Sequence, residues 1–308
     1  MQQNIPLAIL IVVVASLFFA GGATIQHYAV TETGDAKSEQ RHMTLKELWQ
    51  LIRTPRWLLG LGCITVGATL HIVGLMLAPV TVVQPVGILA VPWSVLLAAR
   101  VHKHKTNKMI WGGVALTVLG ILVFTLLSAS HATEGADVSH PWAIPAACVV
   151  VYLCGATLGF LGARGPRRYR SFMWASGGSF FYGLASAMVR TVTEIVRQLD
   201  WTTHHLFWIS VPLLIGTYVL GGWMIQQAYA TGPAEGVVGS MTTTDPVVAV
   251  VFGLAVLGEG AHLTLGASAG MFVSAAVAVL GVLMLIRYHP EVQAQLAASD
   301  VGEPASDR

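Results

Sequence analysis

Apolar runs of about 20 residues follow one another along nearly the whole chain, and no other feature restricts the fold as much. Nine can be marked, at 5–29, 57–78, 80–100, 109–128, 141–163, 171–192, 206–230, 235–257 and 265–287. Each is long enough to cross a hydrocarbon core roughly 30 Å thick. With 55% hydrophobic and 10% charged residues among 308, little chain is left over for a soluble domain. The expected fold is all-α, a polytopic membrane helix bundle of about nine spans. Met1-Gln2-Gln3-Asn4 carries no basic residue and the apolar run behind it is long, so the first run is expected to stay as a helix rather than be cleaved. Cys148 and Cys154 lie six apart within one run, a poor spacing for a shared helical face, so with Cys63 they read as small core residues.

Positively charged short loops stay cytoplasmic. If the amino terminus is outside, three inner segments collect the basic residues: Lys37 to Arg56, Arg100 to Lys108, and Arg164 to Arg170. Arg287 and Arg308 join them, leaving only Arg190 and Arg197 of the 17 Lys and Arg residues outside. An outside amino terminus and an inside carboxyl terminus follow. The outer side then holds Glu134, Asp137, Glu194, Asp200 and Glu259, an acidic rim that would concentrate cations; any chain obeying the charge rule also has a less positive exterior. Thr44-Leu-Lys-Glu47 is a capping box, and residues 44–54 are expected to form an amphipathic helix on the inner surface.

Against this background Thr242-Thr243-Thr244-Asp245-Pro246 stands out, because it places a carboxylate near the centre of a span beside a residue that cannot donate a helix hydrogen bond. Intramembrane ionisable groups are costly and usually face a cavity, a pathway or a helix partner. Asp245 could bind a cation or take up a coupling proton, and a hydrogen-bonded packing aspartate is the plainer alternative. Pro246 leaves the Thr242 carbonyl without its usual donor, as Pro85 does for Thr81, so both prolines are expected to break their helices. Thr242, Thr244, Thr81 and Gln84 would then supply oxygen ligands, and Asp245 would be the metal-binding acid.

Internal similarity supports bringing these residues together. At an offset of 161, Pro85 falls on Pro246, Gln84 on Asp245, and Ala115, Val118, Leu119 and Gly120 on Ala276, Val279, Leu280 and Gly281. Upstream the offset shrinks to 154 for Pro79 and Pro233, then to 133 for Gly22-Ala-Thr24 and Gly155-Ala-Thr157, a step of one helix, with 171–192 as the surplus span. Two inverted membrane repeats of four and five spans are expected, at 1–130 and 141–290, followed by a polar tail at 291–308. Inverted repeats that meet at interrupted helices are a transporter plan with the substrate near the midplane.

Other polar positions carry more ordinary readings beside functional ones. His71 could line the pathway or be a satisfied core histidine. Gln226, Gln227 and Tyr229, near Gln26 and His27, form a cytoplasmic mouth or hydrogen-bond between helices. Arg190 and Glu194, at i and i+4, read as an ion pair near the outer surface. Trp93, Trp174 and Trp223 could stack an organic substrate or simply pack. Gly155/Gly159 and Gly266/Gly270 have the spacing of helix-packing pairs.

Pro85-Val-Gly87 within Leu77–Val91, and Asp245-Pro246 followed by Leu257-Gly-Glu259, resemble the drug/metabolite transporter superfamily. The second stretch is similar to the EamA pattern, and the first to the NIPA-like magnesium transporter branch. The resemblance implies nine spans and magnesium transport, and it supplies no ligand set to carry over. The first repeat has Ala98 where the second has Glu259.

Together these features predict a secondary transporter of the plasma membrane, with a midplane site at Asp245 and a divalent cation such as Mg²⁺ as substrate. A proton-coupled exporter of metabolites or drugs is the alternative within the class. A membrane enzyme would need clustered catalytic groups that the basic inner loops lack, and a lipid-binding scaffold would not need broken helices. No phosphate-cradling loop or zinc spacing occurs, so no cofactor is expected. Lipid and the transported solute are the expected partners, a homodimer is compatible with the sequence, and no nucleic acid is expected.

Overall fold

The computed structural model describes residues 3–33, 53–101, 108–133, 142–199, 201–231 and 234–288. The expected amphipathic helix at 44–54 lies almost wholly outside the described residues, as does the tail at 291–308. Ten helices account for the described chain: α1 Ile5–Thr33, α2 Pro55–Leu77, α3 Val80–Gly87, α4 Ala90–Val101, α5 Lys108–Ser130, α6 Ala143–Arg164, α7 Arg167–Gln198, α8 His205–Thr231, α9 Ala234–Ala255 and α10 Leu265–Arg287. No strand occurs among the described residues.

Seven of these segments are long and apolar enough to cross a membrane, with α3 and α4 joined as one path over Val80–Leu97. The other two expected spans fall in α7 and α9. Both have the length, 32 and 22 residues, about 48 and 33 Å at 1.5 Å per residue. α7 is the less apolar of the two because its polar side chains face the bundle and not lipid, while α9 is apolar over Ser240–Ala255. On α7, Ser176, Ser179, Ser186, Arg190, Thr191 and Glu194 are all buried.

The polarity of the molecule is inside out. Leu10, Leu126, Leu153, Val219 and Phe272 are exposed on α1, α5, α6, α8 and α10, while serine, threonine, glutamine, arginine and glutamate are buried. An aqueous surface would not tolerate apolar faces on so many helices, whereas lipid requires them. The chain is a multi-pass membrane protein.

α7, the surplus span of the sequence comparison, runs through the middle of the second half and packs against α6, α8 and α9. Leu184, Ala187, Met188 and Ile195 of α7 form one core with Ile144 and Cys148 of α6, Leu206 of α8 and Phe252 of α9. In the first half α1 packs along α2, whose buried face carries Gly60, Gly67 and Gly74 at seven-residue spacing. Gly155 and Gly159 of α6 meet Phe181 and Met224, as a packing pair should, but Gly266 faces open space. Cys148 is buried against Met188 Sδ, but Cys154 is exposed and Cys63 half-buried, so of the three only Cys148 is the core residue expected, and the two thiols of α6 do occupy different faces.

The two prolines behave differently. After Pro85 the helix tightens into i→i−3 bonds, Ile88 N–H to Pro85 O at 3.1 Å and Leu89 N–H to Val86 O at 3.1 Å, and α4 restarts at Ala90. Pro246 does not break its helix, contrary to expectation, because α9 continues through it to Ala255. Close support from α7 explains the difference. A Cβ placed on Gly183 would lie 2.5 Å from the Asp245 carbonyl oxygen, so α7 packs directly on the backbone at the proline step. Gly183→Val is therefore expected to force α7 off α9 and lower stability by about 1–3 kcal/mol, measured as thermal unfolding of the purified protein in detergent.

Candidate functional site

α3 and α9 bring Gln84 and Asp245 together. Gln84 Nε2 donates to Asp245 Oδ1 at 2.6 Å, so the pair that the 161-residue offset aligns is in direct contact. Gln84 is buried and Asp245 half-buried. On its other side the Gln84 carbonyl Oε1 faces His71 Nε2 of α2 at 3.3 Å. The His71 ring meets Phe19 of α1 edge-on, with centroids 6.1 Å apart. A polar chain of three side chains from α2, α3 and α9 thus crosses between the halves of the molecule.

Asp245 also lies within electrostatic range of Tyr182 on α7 and Tyr218 on α8, whose rings are 6.3 Å apart. Among the described residues the ion pairs do not include Asp245; the basic side chains of the interior pair elsewhere. Its carboxylate is met by a neutral amide donor, which stabilises the charge less than a cation would. No three His, Cys, Asp or Glu side chains converge among the described residues, so nothing there resembles a closed metal cage.

The remaining expected site residues divide into two groups. Thr242 and Thr244 are half-buried in the turn of α9 that leads to Asp245, and Gln226 and Gln227 are half-buried near the end of α8, with Tyr229 partly exposed beside them. Thr81 belongs to a different cluster. Its backbone N–H donates to Glu259 Oε2 at 3.0 Å, and the Val80 N–H to Glu259 Oε1 at 2.9 Å. Glu259 is only 2% exposed. Gly258, at φ 66°, makes the turn that brings Glu259 back over the end of α9 and onto the start of α3. The carboxylate thereby caps the positive end of a half-helix from another part of the chain.

Behind Glu259 stands Arg190, fully buried, with Nε 3.7 Å from Glu259 Oε1 and Nη1 2.9 Å from Glu194 Oε1. Arg197 reaches the same Glu194 oxygen at 3.0 Å and donates to the Met76 carbonyl, at the end of α2, at 2.7 Å. Glu194 and Glu259 are therefore drawn into the interior and do not form part of an acidic outer rim. The Arg190–Glu194 pair exists, but inside the protein. Trp93 donates to Ser16 Oγ at 3.2 Å, and Trp174 packs edge-on to Trp223 at 5.1 Å, so packing accounts for both contacts.

Sequence reasoning missed Tyr182 and Tyr218, which carry no local signal. It saw Glu259 but assigned it to the outer rim. An acid immediately after a helix carboxyl end is disfavoured by the helix dipole, and that was a signal for a partner elsewhere.

The model of the magnesium transporter NIPA family matches residues 3–157, about half of the chain. The chain belongs to this family. The NIPA match covers α1 to most of α6, including His71, Gln84 and Pro85, and stops before Asp245 and Glu259. Membership makes this a protein of a transporter family and not of an enzyme family. An uncharacterized protein of Corynebacterium glutamicum is 24% identical over 265 residues, covering 84% of this chain and 87% of its own length. No solved structure matches the chain.

Proposed function

We propose that this NIPA-family protein is a secondary transporter of divalent cations, Mg²⁺ first among them, and that the ion passes Asp245. The observation that carries the reading is a carboxylate inside a membrane bundle that meets an amide donor and, among the described residues, no basic partner. Mg²⁺ keeps several waters and is often held by only one or two carboxylates, so one aspartate in contact with Gln84, with Thr242 and Thr244 in the preceding turn and Tyr182 and Tyr218 within electrostatic range, suits a hydrated ion. The family does not favour the alternative of a proton-coupled exporter of organic solutes.

In this reading α1, α2, α3–α4, α5, α6, α7, α8, α9 and α10 make nine crossings of the plasma membrane, with the amino terminus outside and the carboxyl terminus inside. The two repeats run in opposite directions and meet where Gln84 touches Asp245. Gln226, Gln227 and Tyr229 line the cytoplasmic mouth. Reconstitution into liposomes loaded with a Mg²⁺-sensitive dye and, separately, a pH dye tests the reading. Mg²⁺ entry down its gradient is expected. The absence of any divalent flux, with organic solute moving against protons instead, would contradict it.

A further inference from the structure

Three helices meet around the Gln84–Asp245 contact, and on each of them burial changes at that level. On α9 the stripe Thr242, Asp245, Ala249 and Phe252 follows helical spacing; its first two members are half-buried and its last two buried. On α3, Thr81 and Gln84 are buried, and Ile88 at the end of the same stripe is half-buried. On α7, Tyr182 is half-buried while Val189 and Arg190 are buried. α3 begins, and α7 and α9 end, on one side of the molecule, the outer side in the topology proposed above. The interface is therefore closed from Asp245 outward and looser inward of it.

What ties the outer end together is polar. Glu259, in the turn after α9, accepts the N–H groups of Val80 and Thr81 at the start of α3. Arg190 of α7 stands 3.7 Å behind it. Arg197, two turns further along α7, donates to the Met76 carbonyl at the end of α2 at 2.7 Å. These bonds join α7 and α9 of the second half to α2 and α3 of the first, outward of the pair beside which an ion would rest. A permanent seal would need no charge there. Charged and backbone groups at helix ends can exchange their partners for water when the halves part, and the Arg197 side chain is already 18% exposed.

We propose that Glu259, Arg190 and Arg197 form the outer gate of the cation path, and that this conformation is the outward-closed, inward-open one. An ion from outside reaches Asp245 only when Glu259 and Arg197 release α3 and α2. This rests on the reading of Asp245 as the ion site.

The test is labelling by a hydrophilic methanethiosulfonate on the full-length protein in detergent, without Mg²⁺, with one reporter thiol on each side of Asp245: Ala249→Cys outward and Thr242→Cys inward. Cys63→Ser and Cys154→Ser remove the two native thiols that are not buried. With the gate intact, Thr242→Cys is expected to react and Ala249→Cys to be protected. Adding Glu259→Ala is expected to speed labelling of Ala249→Cys about tenfold, the worth of one hydrogen bond to a charged group, without speeding that of Thr242→Cys. Glu259→Gln, whose carbonyl can still accept from α3, is expected to have a smaller effect. If Glu259→Ala does not yield folded protein, Arg197→Met, which releases the Met76 carbonyl, replaces it with the same direction expected. Equal reactivity of the two reporters with the gate intact, or no change at Ala249→Cys in the gate variants, overturns the proposal. So does a rise at both reporters together, which marks a network that only holds the bundle. None of these outcomes involves Mg²⁺, so a failed gate leaves the reading of Asp245 standing, and the flux of Asp245→Asn decides that reading separately.

Discussion

Asp245→Asn is expected to reduce Mg²⁺ flux in proteoliposomes by on the order of a hundredfold, because it removes a charge interaction of the class worth about 3 kcal/mol or more when desolvated. The substitution suits the question because it changes so little else. Asparagine has nearly the same shape, and its Oδ1 can still accept from Gln84 Nε2, which now lies 2.6 Å from the carboxylate. A neutral amide also costs less to bury than a carboxylate. The melting temperature of the variant is therefore expected to equal or exceed that of the wild type, so lost flux reports lost charge and not lost fold. A variant that carries Mg²⁺ at the wild-type rate would remove Asp245 from the pathway. One that fails to fold would show the aspartate to be a structural group.

Arg190→Met is expected to cost about 3–5 kcal/mol, the usual consequence of stripping a buried ion pair of one member. Two carboxylates depend on this guanidinium, Glu194 at 2.9 Å and Glu259 at 3.7 Å. Glu194 retains Arg197 at 3.0 Å and Gln198 at 3.0 Å. Glu259 retains the Val80 and Thr81 N–H groups but loses its counter-charge. The double variant Arg190→Met/Glu259→Gln should recover part of the loss, since a glutamine carbonyl can still cap α3 and leaves no charge behind. Detergent melting curves of both variants measure this. A single variant as stable as the wild type would mean that Arg190 contributes nothing to holding α3 in place.

The membrane class and the helix plan were legible because lipid enforces a simple rule, about 20 apolar residues for each crossing, and the marked runs agree closely with the observed helices. α7 is the instructive case. Its length was readable, but its polar face is hidden by other helices, and hydropathy alone cannot distinguish a polar side chain turned inward from one in water. The contact between Gln84 and Asp245 was also legible, through an offset shared with the prolines beside them. The continuity of α9 through Pro246 was not, because it depends on Gly183 of another helix. Glu259 and Arg190 sit 69 positions apart in the chain, and nothing local to either names the other. Long-range pairs that no repeat relates are written only in the folded structure.

The central claim is that a divalent cation rests beside Asp245. Locating Mn²⁺, as a stand-in for Mg²⁺, by its anomalous scattering in crystals of the full-length protein tests this most directly. A peak is expected beside the Asp245 carboxylate, with the Gln84 amide turned or moved aside. A saturating Mn²⁺ soak that leaves the Gln84–Asp245 hydrogen bond intact and places the ion elsewhere in the bundle would contradict it.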